Sequence, residues 1–189
     1  FGTICIDYSC PTTANLASRV SLSTQVVHAA QFNGQNSYIH TYFSDIINKI
    51  SIGVWIKTGG NNEVILQLQN NTPLIYLQVG STTAGGTSND LVIYLRNNAG
   101  GGVIPWNIAL INNNQWHFVT LSWNGTIASA YIDGSKIATT SFTGTLTLTG
   151  ITADIGALLP SSYLFNGSIA NVQIYNTSLS SSQVRQLYQ

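Results

Sequence analysis

Six carboxylates stand in 189 residues: Asp7, Asp45, Glu63, Asp90, Asp133 and Asp154. Cleavage of a glycosidic bond ordinarily needs two, an acid and a nucleophile or base held at fixed separation. No two of these acids lie within a few residues of one another, so no single strand carries such a pair, and two acids meet only if the fold brings them together. Serines are abundant, yet no Gly-x-Ser-x-Gly elbow is present for a serine, histidine and acid triad. There is no P-loop and no dinucleotide fingerprint. The chain therefore reads as non-catalytic. Ca2+ prefers roughly six to eight oxygen ligands. Asp90, beside Asn89, and Asp154 are the acids nearest expected loops. Turn structure is the ordinary role for both, any calcium site built on them is expected to be weak, and no other cofactor is expected.

Binding chemistry is better supplied. A saccharide site needs aromatic platforms and polar amides in an exposed groove. Tyr38, Tyr42, Tyr76, Tyr94, Trp106 and Tyr163 are the candidates, with Trp106, Tyr94, Tyr76 and Tyr163 carried forward as ligand-binding residues. Trp106 follows Gly100-Gly101-Gly102-Val103-Ile104-Pro105 in what reads as a loop. Its ordinary role is a plug over the sheet edge, because aromatics usually bury; sugar stacking is the functional alternative.

The two cysteines, Cys5 and Cys10, are spaced Cys-x4-Cys. Zinc needs further soft ligands, for which only His28, His40 and His117 are available, and the redox motif is Cys-x-x-Cys. A small structural disulfide is the expected pairing. Asn70, Asn124, Asn166 and Asn176 each open an Asn-x-Ser/Thr sequon and are glycosylation candidates.

Composition narrows the partners. Charged residues make up only 6% of the chain and the formal net charge is zero, against roughly 25% charged in a typical soluble domain. There is no basic footprint for nucleic acid and no polybasic patch for anionic lipid. No apolar run approaches the ~20 residues of a membrane-spanning helix, so membrane insertion is not expected. Low charge removes the repulsion that keeps proteins apart, which leaves self-association open.

The elements that position these residues read as strands. Ile50, Ile52, Val54 and Ile56 alternate with Ser51, Gly53, Trp55 and Lys57. Ala30 to Phe32 and Ser37 to Phe43 flank Asn33-Gly34. Glu63 to Gln69 and Leu74 to Val79 form a hairpin pair, and Leu91 to Leu95 a further strand. Asn97 to Gly102 reads as a Gly-rich turn. Gln115 to Trp123 and Ile127 to Ile132 are joined at Asn124-Gly125, and Asp133-Gly134 marks another hairpin, with Asp133 a turn former. Thr145 to Thr149, Ala153 to Ala157 and Ile169 to Tyr175 complete the series, the last preceded by an expected tight turn at Asn166-Gly167. Val184, Leu187 and Tyr188 fall at helical spacing behind a cap at Ser180, Ser181 or Ser182. Many short strands and one terminal helical turn predict an all-β, antiparallel two-sheet β-sandwich. Trp55, Trp116, Val119, Leu121 and Trp123 are expected mainly to pack, and His117 to be structural.

Several stretches carry a resemblance. Ala30-Gln-Phe-Asn-Gly-Gln-Asn-Ser-Tyr-Ile39, Ile52-Gly-Val-Trp-Ile-Lys-Thr58, Trp116-His-Phe-Val-Thr-Leu-Ser-Trp-Asn-Gly125, Ala130-Tyr-Ile-Asp-Gly-Ser-Lys136, Asp154-Ile-Gly-Ala157 and the closing Phe165 to Tyr188 resemble, in order and spacing, the laminin-G-like, concanavalin A-like lectin and glucanase jelly-roll superfamily. The resemblance covers roughly residues 29–189. It implies a jelly roll that serves mostly as a recognition scaffold. Catalytic members carry two or three carboxylates alternating along one strand, a pattern absent here. Residues 1–28 form a separate N-terminal segment in which Val20 to Val26 alternate as a strand; Val20 to Val27 either pair within their own sheet, the ordinary role, or exchange onto a neighbour's sheet edge.

Two functions fit. The first is a non-catalytic, secreted or cell-surface protein that acts in adhesion or recognition by binding glycan or a surface protein. The second is a self-assembling subunit of an extracellular filament or coat, a homopolymer joined through its N-terminal strand.

Overall fold

Alternating apolar residues must put one side of every strand inside, and the described residues meet that demand with twelve strands and a short helix. In the computed structural model residues 29–43, 49–70, 73–80, 90–97, 100–106, 111–146, 150–158 and 162–189 are described. The strand and cysteine pair expected in residues 1–28 lie outside them. In chain order the elements are β1 (Ala30–Asn33), β2 (Ile39–Phe43), β3 (Ile50–Thr58), β4 (Glu63–Gln69), β5 (Pro73–Val79), β6 (Leu91–Asn97), β7 (Gly100–Trp106), β8 (His117–Trp123), β9 (Ile127–Ile132), β10 (Ser135–Ser141), β11 (Ile151–Ile155), β12 (Asn166–Tyr175) and α1 (Ser181–Tyr188).

They form two antiparallel six-stranded sheets. Sheet I runs β1-β12-β3-β8-β9-β10, and sheet II runs β2-β11-β4-β5-β6-β7. Ile50, Ile52, Val54 and Ile56 of β3 with Val119, Leu121 and Trp123 of β8 line the inner face of sheet I; Leu66, Leu68, Ile75, Leu77, Ile93 and Leu95 line that of sheet II. All are fully buried in one continuous core. This is the expected β-sandwich.

The middle of the outer face of sheet I, over β3, β8 and β9, is covered by α1. Ser180 caps it in a reciprocal capping box with Gln183, which satisfies two backbone N–H groups that a helix start otherwise leaves unpaired. Val184 and Leu179 bury against Tyr131, and Tyr188 stacks on Trp55 at 5.5 Å. The approach to the helix is tied to the sheet: Ser51 Oγ donates to the Thr177 carbonyl and accepts from Leu179 N–H, and Ser122 Oγ donates to the Leu179 carbonyl, each at 2.9 Å.

Four expectations change. Gly100–Trp106 is the edge strand β7, so Asn97 to Gly102 is not a turn and Trp106 is not in a loop. Glycine accepts extended backbone, and Pro105, with no N–H to donate, is tolerated on an edge strand. Asn166 and Gly167 are the first residues of β12, not a turn, because both pair with β1. A Cβ on Gly167 would lie 2.2 Å from the Lys57 carbonyl, so only glycine lets the strands close there. Trp116 precedes β8 and is 40% exposed, not packed. The strand expected within Ala153 to Ala157 begins earlier and ends at Ile155, since Gly156 turns out of the sheet at φ 82°.

Trp123 is fully buried, and its Nε1–H donates to the Phe142 carbonyl at 2.7 Å. Trp123→Ala should lower stability by about 3–5 kcal/mol, measured as a fall in the urea midpoint with native-like secondary structure retained.

Candidate functional site

Because side chains alternate, the residues between the core positions of sheet II share its outer face. Ladder register sets five of them in a row across the strands. His40 of β2 faces Asp154 of β11, Asp154 faces Gln67 of β4, Gln67 faces Tyr76 of β5, and Tyr76 faces Tyr94 of β6. Tyr76 and Tyr94 stack with ring centroids 4.7 Å apart and planes 5° from parallel. Tyr163 joins them from the connection before β12: its carbonyl accepts from Val64 N–H at 2.7 Å and it sits at φ 54°. Its ring is 38% exposed.

The row has a polar floor. Asp154 is fully buried and accepts hydrogen bonds from Gln69 Nε2 at 2.8 Å and His40 Nδ1 at 2.5 Å. Gln67 is fully buried between Asp154 and Tyr76, yet neither its amide nitrogen nor its amide oxygen has a hydrogen-bond partner. Such a group costs roughly 1–3 kcal/mol. Burial pushes the Tyr76 phenol above its usual range, and charge on Tyr94 or Tyr163 would push it further. It is therefore an intact O–H at neutral pH, able both to donate and to accept. Exposed Arg96, two residues beyond Tyr94 on β6, is on the same side. The surface is aromatic and hydrogen-bonding, with its one buried acid already partnered.

Of the four aromatics singled out in the sequence, Tyr76, Tyr94 and Tyr163 come together. Trp106 does not join their row: it pairs in register with Leu91, while the partner of Tyr94 on β7 is Val103. Gln67, Gln69 and His40 were missed. Their signal is faint: two amides interrupting the apolar run Val64-Ile-Leu-Gln67-Leu-Gln69, and a histidine in an edge strand. Asp90 and Asp154, the calcium candidates, are not brought together; β4 and β5 lie between their strands. Among the described residues no three His, Cys, Asp or Glu side chains gather as a metal site.

The remaining singled-out residues have local roles. Asp133 and Gly134 take φ of 51° and 73° in the β9–β10 hairpin. The Asp133 carboxylate accepts from Phe118 N–H and pairs with His117 Nδ1, both at 2.8 Å. The Asn124 side chain accepts from Thr126 and Ile127 N–H, fixing the β8–β9 turn. The sequon asparagines Asn70, Asn124, Asn166 and Asn176 are all exposed.

Glu63, the single glutamate, is only 7% exposed and accepts from the Thr58 hydroxyl at 2.9 Å. Burial pushes its carboxyl above the usual range, partly offset by that bond and by the Asn166 backbone N–H. The folded state thus favours protonated Glu63. Its contribution to stability is full below the usual carboxylate pKa and is lost as pH rises through the raised one. Glu63→Gln should therefore be more stable than wild type at neutral pH, with the difference closing toward acid, as read from urea unfolding across pH.

Two antiparallel sheets in jelly-roll order, one outer face partly covered by a terminal helix and the other carrying an aromatic and amide row, define a lectin-like domain. A laminin-G family model described as the concanavalin A-like lectin/glucanases superfamily matches residues 33–185, and the chain belongs to that superfamily. No protein of curated function matches the sequence. Among solved structures, the heptameric SAP-like pentraxin of Limulus polyphemus is 21% identical, with TM-score 0.65 over 84% of this chain and 80% of that one. Domain 4 of AbnA, a GH43 extracellular arabinanase from Geobacillus stearothermophilus solved with arabinotriose, is 21% identical, with TM-score 0.67 over 85% and 76%. The ligand binding domain of botulinum neurotoxin serotype D, solved with N-acetylneuraminic acid, is 14% identical, with TM-score 0.67 over 88% of this chain and 43% of that one. At these identities the likeness is one of fold. No described helix is long and apolar enough to cross a membrane.

Proposed function

We propose that this protein is a non-catalytic recognition module, secreted or displayed at a cell surface, that binds oligosaccharide on the outer face of sheet II. The observation that carries the reading is the buried, unpartnered Gln67 amide beside the stacked Tyr76–Tyr94 pair. A sugar offers hydroxyls that both donate and accept, and C–H faces that pack on aromatic rings. The amide and the phenols answer the first, and the rings the second. The face also lacks a second carboxylate beside Asp154 in the row, which argues against glycoside hydrolysis. The arabinotriose and N-acetylneuraminic acid held by two fold neighbours support a sugar ligand. Adhesion through a glycan or a surface protein follows from the same face.

Two variants test it on a glycan array followed by calorimetry. Tyr94→Ala should weaken binding at least tenfold, about 1.4 kcal/mol. Gln67→Leu should weaken binding while leaving stability unchanged or raised by about 1 kcal/mol, because it removes an amide that no internal partner satisfies. Loss of stability with binding intact would make Gln67 a structural residue and reject the site.

Assembly into a filament or coat is the second reading. Tyr42 is 79% exposed in β2, the outermost described strand of sheet II, and Tyr38 just before it is 45% exposed. An edge with exposed aromatics and little charge favours strand-to-strand association. Polymers that persist on dilution, by light scattering, and vanish on deletion of residues 1–27 support it; a monomer at every concentration rejects it.

A further inference from the structure

A second polar recess lies on the opposite sheet. Its volume is about 520 Å³, and Gln31, Lys57, Asn114, Asn166 and Ser168 contribute to its walls together with Gly59, Gly60 and Gly167. That is within the size range of small-molecule sites, roughly 300–1,000 Å³. Three strands build it. Gln31 of β1, Ser168 of β12 and Lys57 of β3 are rung partners, so they stand side by side on the outer face of sheet I. Ser168 Oγ donates to Gln31 Oε1 at 2.8 Å, which leaves the Gln31 amide N–H₂ directed away from that bond.

The electrostatics are one-sided. Lys57 is exposed and is the only ionisable residue in the lining, and among the described residues the ion pairs involve histidines, not Lys57. The acid nearest in the hydrogen-bond network, Glu63, is buried behind Gly60 and Thr58 of the wall, and its carboxyl is held by the Thr58 hydroxyl and the Asn166 N–H.

We infer that this recess is a second ligand site, for a carboxylate-bearing sugar. The Lys57 ammonium takes the carboxylate, and the Gln31, Asn114 and Ser168 groups take ring hydroxyls. A single exposed ammonium gives a weak, salt-sensitive interaction. The inference is independent of the sheet II site.

The test is a two-dimensional NMR titration of the full chain with trigalacturonate and with its fully methyl-esterified form, in which each carboxylate is replaced by a neutral methyl ester. The acid form should shift resonances of Lys57, Gln31 and Asn114, and low salt should strengthen the effect. Lys57→Gln should weaken acid binding at these resonances about tenfold. Equal binding of both forms, full affinity in a folded Lys57→Gln variant, or shifts confined to Tyr76 and Tyr94 would overturn it. The last result would leave the sheet II site standing.

Discussion

Packing the inner faces of two six-stranded sheets against each other settles where every other residue goes. Once Leu66, Leu68, Ile75, Leu77, Ile93 and Leu95 face inward, Gln67, Tyr76 and Tyr94 must face outward. The same rule on sheet I sends Ser51, Trp55 and Ser122 out while Ile52, Val54 and Leu121 go in. A one-residue slip in any strand would exchange the two sets, so the core fixes the register and the register assembles the outer faces. Most chains furnish outer faces with charge. This one has 6% charged residues, and its two sheets solve the problem differently: sheet I buries the middle of its outer face under α1, and sheet II lines its own with amides and phenols.

Much of the fold was legible because it depends on local patterns. The alternation in β3, the Asp133-Gly134 hairpin and the Ser180 cap can each be read within ten residues, and each appears where expected. What escaped depends on partners far away in sequence. Asn166-Gly167 has turn chemistry, but β1 and β3 claim it as strand. Spacing in the closing strand is likewise irregular: Ile169 and Val172 both reach the core although three residues apart, because a bulge with Asn171 at φ 49° resets the alternation between them. Asn97 to Gly102 reads as a Gly-rich turn, yet β6 pairs with Gly100 to Gly102 and holds them extended.

The candidate site was half legible for the same reason. Tyr76, Tyr94 and Tyr163 could be named as aromatics, but their meeting required cross-strand register. The polar floor was invisible: His40 and Asp154 are 114 residues apart in sequence and adjacent in the sheet. Trp106, the most conspicuous aromatic in the sequence, falls out of the row because its strand pairs it with Leu91.

The claim that sheet II offers an aromatic binding face while α1 covers the middle of sheet I is tested most directly by mapping aromatic-ring NMR shifts while a neutral oligosaccharide is added. Movement of Tyr76, Tyr94 and Tyr163 signals, with Trp55 and Tyr188 unmoved beneath and within α1, is the predicted result. Movement of Trp55 and Tyr188 with the sheet II tyrosines silent would contradict it.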